Sequence, residues 1–170
     1  MPSDTATRTL EDVVQTLRGL FGDAIVDATV NELGGGQLIV KAAAERRPDV
    51  MQTLKDLGFT FYTFCCGVDW PDDDRIEVLD HVYDVEHRHR VTVKYDVARD
   101  APRIPSVAGV YAGADWHERE TWELFGVVFA GHPRLRRLLL PDWFEGFPMR
   151  KDYELPARAE KPWPGDFFSG

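Results

Sequence analysis

The residues whose types and spacing could do chemistry gather in one stretch, between residues 114 and 153. His117, Glu118 and Glu120 lie close together there, and His132 follows later in the same stretch. An imidazole and a carboxylate that face one cleft can act as general base and general acid, so a small acid/base enzyme is one hypothesis. Glu118-Arg119-Glu120 is also typical of a charged helix face tied to nearby arginines, and this structural interpretation outweighs catalysis. The sequence offers no plausible nucleophile beside a base.

Other candidate ligands are weaker. Cys65 and Cys66 are adjacent, a spacing that disfavours a disulfide between them, and no CxxC pair is present to hold zinc or an iron-sulfur cluster. They are expected to be buried packing residues in a reducing compartment. His87 and His89 could share one side of a strand and bind a metal, but the neighbouring arginines would repel a cation. The glycines at 34–36 lack a following GxxxxGK[ST] and favour a turn. We therefore expect no cofactor and no metal in this chain.

A short helix should carry the charged residues of the stretch. Asp115 is a good N-cap residue and Glu118 stands three positions later, so the helix is predicted to begin at Trp116. Gly126 suits the left-handed C-cap that would end it. A short strand is predicted next, at Val127 to Phe129.

The remaining sequence predicts an α+β fold. The apolar periodicities indicate a helix at 9–21, a hairpin of 24–31 with 37–42, a helix at 48–57, a central buried strand at 59–66 and a hairpin of 76–85 with 90–97. This order favours two layers, with helices on one face of a mixed sheet and an extended C-terminal segment. We divide the chain into an α+β domain (1–113), a helix and interface segment (114–153) and an extended tail rich in proline and aromatic residues (154–170).

Composition restricts the partners. The net charge of −9 disfavours binding to nucleic acid or to an anionic membrane surface, because both are polyanions. The longest stretches without charge are about half the roughly 20 residues that a membrane-spanning helix needs. The N-terminus has no apolar signal core, so the chain is expected to stay in the cytoplasm.

The stretch between 114 and 153 also carries a family resemblance. It contains Glu118-Arg119-Glu120, Glu123-Leu124-Phe125-Gly126, Gly131-His132-Pro133, Arg136 and Leu138-Leu139. This spacing resembles the signature of the thirty-kilodalton subunit of respiratory complex I, which in bacteria is the C subunit of NADH-quinone oxidoreductase. Residues 104–107 and 146–153 resemble the flanks of that signature. Phe147, where the family more often has His, and Met149 in place of Leu are departures that concern the details of a partner contact.

The resemblance implies a non-catalytic structural and assembly subunit. Complex I transfers electrons from NADH to quinone and couples this to proton translocation. The family's subunit lies in the peripheral arm, on the cytoplasmic side of the cell membrane, against the hydrogenase-large-subunit-like subunit that holds the quinone site and beside iron-sulfur subunits. FMN and the clusters are then expected in those partners. The expected interface residues, carried over from the signature, are Glu118, Arg119, Glu120, His132, Arg136, Arg137, Trp143, Arg150, Lys151 and Asp152.

The same signature is found in subunits of complexes other than complex I. It also occurs in corresponding subunits of membrane-bound hydrogenases, of deazaflavin dehydrogenases and of the photosynthetic NDH complex.

Overall fold

A computed structural model describes residues 9–31 and 36–154, and these form an α+β fold around a five-stranded mixed sheet. The strands lie in the order β1-β2-β5-β4-β3, and β6 pairs with β7 in a separate two-stranded sheet. The elements, in chain order, are α1 (Leu10–Phe21), β1 (Ile25–Asn31), β2 (Gln37–Ala42), α2 (Arg47–Asp56), β3 (Phe61–Trp70), β4 (Arg75–Asp84), β5 (His89–Ala98), β6 (Arg103–Pro105), α3 (Ala114–Phe125) and β7 (Val128–Ala130). Within the large sheet, β2 and β5 pair in parallel and the other neighbours are antiparallel.

One face of the large sheet forms the hydrophobic core with the three helices. Alternate residues of the central strands, such as Val78 and Val82 on β4 and Val93 and Tyr95 on β5, are fully buried. They belong to one cluster with the buried side chains of α1, α2 and α3. Because successive side chains of a strand point to opposite faces, the other face of these strands lies outside this layer. The predicted two-layer α+β class is confirmed.

The predictions of the first two helices and of both hairpins are confirmed. Thr9 and Asp12 form the reciprocal capping box that starts α1. Pro48 lies in the first turn of α2, where its missing N–H costs nothing. The strands β1 and β2 form one antiparallel pair and β4 and β5 form the other. The glycines at positions 34 and 35 lie outside the described residues.

The prediction that residues 59–66 form a central buried strand is wrong in the position of the strand and in its burial. β3 runs from Phe61 to Trp70 and lies at the edge of the sheet, where it pairs with β4. Phe61 is 56% exposed. The aromatic and threonine residues of this segment suggest burial on both faces, but α3 covers only one face of the strand. Phe125 of α3 packs so tightly over Gly67 that an added Cβ would lie 2.9 Å from its ring.

The 114–153 stretch packs into the same body as the sheet. Ala114, Phe125, Val127 and Phe129 all belong to the single core cluster.

None of the helices within the described residues is both long and apolar enough to cross a membrane. Of the predicted tail, residues 155–170 lie outside the described part of the chain, so the division at 113 and 153 stays a prediction.

Candidate functional site

The helix that carries the signature starts two residues earlier than predicted. α3 begins at Ala114, and Gly113 precedes it without a side-chain cap. The expected capping box of Asp115 with Glu118 is therefore wrong. Asp115 instead accepts a hydrogen bond from Arg134 Nη2 at 2.7 Å, and its Oδ1 lies 3.2 Å from His132 Nε2. The Asp115 carboxylate thus forms a tertiary ion pair with Arg134 instead of the helix cap that the local pattern predicts.

A buried arginine lies at the centre of the site. Arg47, at the start of α2, is fully buried, and its Nε and Nη2 donate to both carboxylate oxygens of Asp80 on β4 at 2.7 and 2.8 Å. Its Nη1 donates to Glu118 Oε1 at 2.8 Å and to the carbonyl of Pro105 at 2.7 Å. Burial lowers the pKa of Arg47 and the Asp80 carboxylate raises it, with a net effect upward, so the guanidinium stays charged. One cation thus ties α2, β4 and α3 together.

Glu118 is satisfied entirely inside the chain. Besides the bond from Arg47, its Oε1 accepts from the backbone N–H of Val107 at 2.7 Å and its Oε2 accepts from the hydroxyl of Ser106. His132 Nε2 lies 4.0 Å from the same Oε2. A buried carboxylate with this many donors holds the 105–107 loop against α3.

The other polar groups beside Arg47 are protonated at neutral pH. The Tyr62 hydroxyl donates to Asp80, and burial, followed by the Asp80 charge, raises the pKa of Tyr62 well above its usual range. Burial likewise raises the pKa of the Cys65 thiol, which lies 3.6 Å from Arg47 Nη2. A thiol held in this form is a poor nucleophile and a poor metal ligand, which supports the packing role expected for it.

Two further charged residues of α3 clamp the following loop. The Arg119 guanidinium donates to the carbonyls of Arg136 and Arg137 at 2.9 and 2.8 Å. Glu123 accepts the backbone N–H groups of three successive leucines, the shortest from Leu139 at 2.7 Å. Residues 138–140, three consecutive leucines, thus form no strand but a loop whose amides are bound by a side chain.

The exit from the stretch is held against the C-terminus of α3. Arg150 Nε donates to the carbonyl of Phe125 at 2.7 Å, and its guanidinium lies 4.8 Å from the centre of the Phe147 ring. Gly126 adopts φ +80° at the helix end as predicted, and an added Cβ there would lie 2.8 Å from that ring. The backbone N–H of Lys151 donates to Asp69 Oδ2 at 2.8 Å. Asp69 is also bound by Arg99, whose hydrogen bond lowers the pKa of this carboxyl.

The predicted interface residues fall into internal and outer groups. The side chains of Glu118 and His132 are fully buried, Arg119 is buried, and their partners lie within the chain. Among the outer residues, Trp143 is 80% exposed. Glu120, Arg137 and Arg150 are half-buried, and Arg136, Lys151 and Asp152 are exposed. Arg137 donates to the carbonyl of Phe144 and Asp152 pairs with Arg99, so several outer residues also have internal contacts. Contact of any of them with a partner stays a prediction.

The geometry does not assemble an acid/base site. His132 Nδ1 accepts the backbone N–H of Arg134 at 3.0 Å, so Nε2 carries the proton and faces the Asp115 carbonyl at 3.2 Å. His117 lies elsewhere, with its ring 6.0 Å from that of Tyr62. Cavities of about 360 and 230 Å³ occur in the described structure, and neither is lined by a candidate acid or base of the 114–153 stretch.

The metal hypothesis for the β4–β5 turn gains no support. His87 Nδ1 lies 2.8 Å from Asp84 Oδ2, and the His87 and His89 rings stack 6.0 Å apart. Within residues 9–31 and 36–154, no group of three or more His, Cys, Asp or Glu side chains is placed to hold a metal ion.

The sequence patterns did not identify the residues that surround Glu118 in the core. Arg47, Asp80 and Tyr62 come from α2, β4 and β3, far from Glu118 in sequence. One signal was present: Asp80 stands at a core-facing position of an otherwise alternating strand. A charge at such a position is buried and must be paired, so a buried cation could have been sought.

Comparison with known proteins gives this geometry a family context. Residues 40–159 match the family model described as the respiratory-chain NADH dehydrogenase 30 Kd subunit. The NADH-quinone oxidoreductase C subunit of Rhizobium rhizogenes is 45% identical over 134 residues, which are 76% of this chain and 66% of that protein. The C subunit of the same enzyme from a Roseiflexus species is 39% identical over 161 residues, 92% of this chain and 88% of that one.

Two solved structures are also similar. A trypsin-resistant fragment of Nqo5 superposes with a TM-score of 0.61 at 29% identity, over 74% of this chain and 98% of the fragment. A chain of the membrane-bound sulfane sulfur reductase, an archaeal respiratory membrane complex, superposes with a TM-score of 0.75 at 26% identity, over 87% of each chain.

Proposed function

Because the chain belongs to the family of the 30 kDa subunit of respiratory-chain NADH dehydrogenase, we propose that it is a non-catalytic assembly subunit of complex I. In this proposal it lies in the peripheral arm on the cytoplasmic side of the membrane. It docks on the subunit that holds the quinone site, while neighbouring subunits carry FMN and the iron-sulfur clusters. NADH oxidation, quinone reduction and proton translocation are then activities of the whole complex.

The observation that carries the proposal is that the signature combines buried charged residues, which bind groups within the chain, with exposed apolar residues. Its buried charges are used internally: Glu118 binds Arg47, and Arg119 and Glu123 bind the backbone of residues 136–140. Arg119 and Glu123 thus hold in place residues 136–140, where Leu139 is 62% exposed. Met149, further along the same stretch, is 55% exposed and donates its backbone N–H to the carbonyl of Leu124 on α3.

These side chains and their neighbours form the proposed docking face, which consists of Arg136, Leu139, Trp143, Met149 and Lys151. Tryptophan, methionine and arginine are enriched in protein interfaces, and a cluster of exposed apolar groups rimmed by charge is typical of a docking site. A rigid backbone under such a cluster lowers the ordering cost of association. The internal clamps therefore support assembly by fixing the backbone beneath the docking face.

The test compares two exposed apolar residues on different surfaces. Trp143→Ala should leave the melting temperature of the free chain unchanged, because its ring is 80% exposed. It should lower recovery of the chain in the intact complex, since loss of a central aromatic anchor costs about 2 kcal/mol or more of association. Leu20→Ser on α1, where the leucine is 61% exposed and far along the chain from the signature, is the matched control. Normal assembly of the Trp143 variant would remove the docking face.

A second candidate function is the same structural role in a membrane complex related to complex I. The similarity to a chain of the archaeal sulfane sulfur reductase extends over 87% of this chain, which favours a subunit of a related membrane complex as the alternative. The corresponding subunits of membrane-bound hydrogenases, deazaflavin dehydrogenases and the photosynthetic NDH complex belong to the same alternative. Mass spectrometry of the complex that co-purifies with the chain discriminates between them. Flavin- and NADH-binding subunits in that complex would support complex I, and their replacement by a different electron-input module would support the alternative.

A further inference from the structure

The face of the large sheet opposite the helices is chemically divided along its strands. Its charged residues at one end are paired with each other. Lys41 binds Asp96 at 2.6 Å, Arg75 binds the same carboxylate at 2.8 Å, and Lys94 binds Glu77 at 3.3 Å. This end of the face therefore supplies its own charge balance.

Among the described residues, the charged group at the other end has no such ion pair. The register places Tyr83 opposite both Phe61 and Arg90, and it places His81 opposite Phe64. Directly opposed side chains on one face of a sheet are neighbours, so Phe61, Tyr83 and Arg90 form one row across the strands. Phe64 and His81 lie in the adjacent row. The Phe64 and His81 rings stack with centroids 5.1 Å apart.

A cavity of about 230 Å³ opens at this end, lined by Phe61, Thr63, His81, Tyr83 and Arg90. Arg90 is exposed, and in the described part of the chain its guanidinium has no carboxylate partner. The Nδ1 atom of His81 is buried, likewise without a hydrogen-bond partner there. Burial, followed by the charge of Arg90, lowers the pKa of His81. At neutral pH the cavity therefore combines one full cation with neutral polar and aromatic groups.

We infer that this cavity receives the carboxylate of an Asp or Glu side chain from another subunit of the complex. Arg90 would bind the carboxylate, and the Tyr83 and Thr63 hydroxyls at the cavity wall can donate to it as well. A protein segment fits better than a free anion, because the 56% exposed ring of Phe61 borders the cavity and contributes only to a ligand with apolar groups. The charge distribution supports the same conclusion, because Lys41, Arg75 and Lys94 on this face have carboxylate partners and Arg90 has none among the described residues. This inference rests on the proposed function and adds a second contact, on the face away from the helices.

The experiment uses the intact complex purified from cells that express the full-length chain. Arg90→Lys introduces a primary amine at the cavity, and a carbodiimide then joins it to a carboxylate that it touches. The expected product, identified by mass spectrometry, links position 90 to an Asp or Glu of another subunit. In parallel, Arg90→Glu should lower retention of the chain in the complex about tenfold, which corresponds to ~1.4 kcal/mol of association.

Arg88→Glu is the matched control, because it makes the same charge change two residues away at an exposed turn position outside the cavity lining. If Arg90→Glu lowers the melting temperature of the free chain, Thr63→Trp, which fills the cavity without changing charge, takes its place. Both the cross-link and the selective loss of retention are required. A link to a second copy of this chain, no link, or equal retention of the Arg90 and Arg88 variants overturns the inference. Failure of the unsubstituted chain to co-purify with the complex would instead overturn the proposed function.

Discussion

At the scale of single residues, the site depends on one buried cation and two carboxylates. Taking charges out of water costs several kcal/mol per ion unless partners and hydrogen bonds compensate for it. Arg47 meets this condition through Asp80, Glu118 and a backbone carbonyl. Such a network is weak evidence for high stability, but the loss of one member leaves an uncompensated buried group. The family signature therefore includes residues that fix the fold.

Glu118→Gln should destabilise the chain markedly. The side-chain amide can accept on one side only, and it removes a charge that Arg47, Ser106 and Val107 all bind. The expected loss is about 3 kcal/mol of unfolding free energy, measured by denaturant titration. Glu120→Gln, two residues along α3 and half-buried, is the control and should change stability by less than ~0.5 kcal/mol. Equal stability of the two variants would contradict an internal role for Glu118.

The sequence identifies the signature residues but not their roles. The local pattern assigns Glu118 to a capping box, whereas the structure buries its carboxylate among Arg47, Ser106 and Val107. The reason is physical: a capping rule uses neighbours in sequence, whereas Arg47 reaches Glu118 only after the sheet has formed. His132 is a similar case, because its hydrogen bonds to Arg134 and Asp115 arise from the loop that follows β7.

At the scale of elements, Glu123→Ala should release the loop that α3 holds. Three backbone N–H groups at 138–140 lose their acceptor, and hydrogen bonds to a charged group contribute about 1.5–3 kcal/mol each. We expect amide exchange at Leu138, Leu139 and Leu140 to rise at least ~10-fold while α1 and the central strands stay protected. Glu145→Ala, at an exposed position of the same segment, should leave the exchange unchanged. Unaltered protection of the leucines in the Glu123 variant would show that the loop is held by other contacts.

Asp69→Asn should reveal a pH-dependent anchor of the exit segment. The hydrogen bond from Arg99 lowers the pKa of Asp69 below its unfolded value of about 3.9, so its contribution is present above that pH and is lost as the pH falls through the folded pKa. The variant should be less stable than the parent at pH 7, and the difference should shrink below about pH 4. Urea titrations of both proteins across this range measure it. A difference that stays constant with pH would show that the Asp69 charge does not contribute.

Local signals predict some elements and cannot predict the position of others. α1 and α2 carry their own start signals and apolar periodicity, so the sequence predicts them almost to the residue. The place of β3 at the sheet edge depends on pairing with β4 and on coverage by α3, which are contacts between distant parts of the chain. The periodicity of apolar residues therefore predicts the strands of this fold but not their order in the sheet.

At the scale of the whole molecule, the described structure is a two-layer domain with two outer surfaces of different chemistry. The proposed docking face lies on the segment that α3 clamps, and the Arg90 cavity lies on the face of the sheet opposite the helices. If both proposed contacts form, the chain would set the relative position of two neighbouring subunits without contributing a reacting group. Its net charge of −9 makes these basic and aromatic patches local exceptions, which favours directional assembly over nonspecific association.

The purified chain should carry neither flavin nor an iron-sulfur cluster. A cluster needs cysteine thiolates, and burial raises the pKa of both Cys65 and Cys66, so each stays a thiol at neutral pH. The two are adjacent on β3 and point to opposite faces of the strand, so they cannot ligate one iron together. The isolated chain should show no absorbance bands in the visible range and should contain no stoichiometric iron. The assembled complex should show the flavin and cluster bands of its other subunits. One cluster or one flavin per isolated chain would require a binding site in this subunit and would remove the non-catalytic assignment.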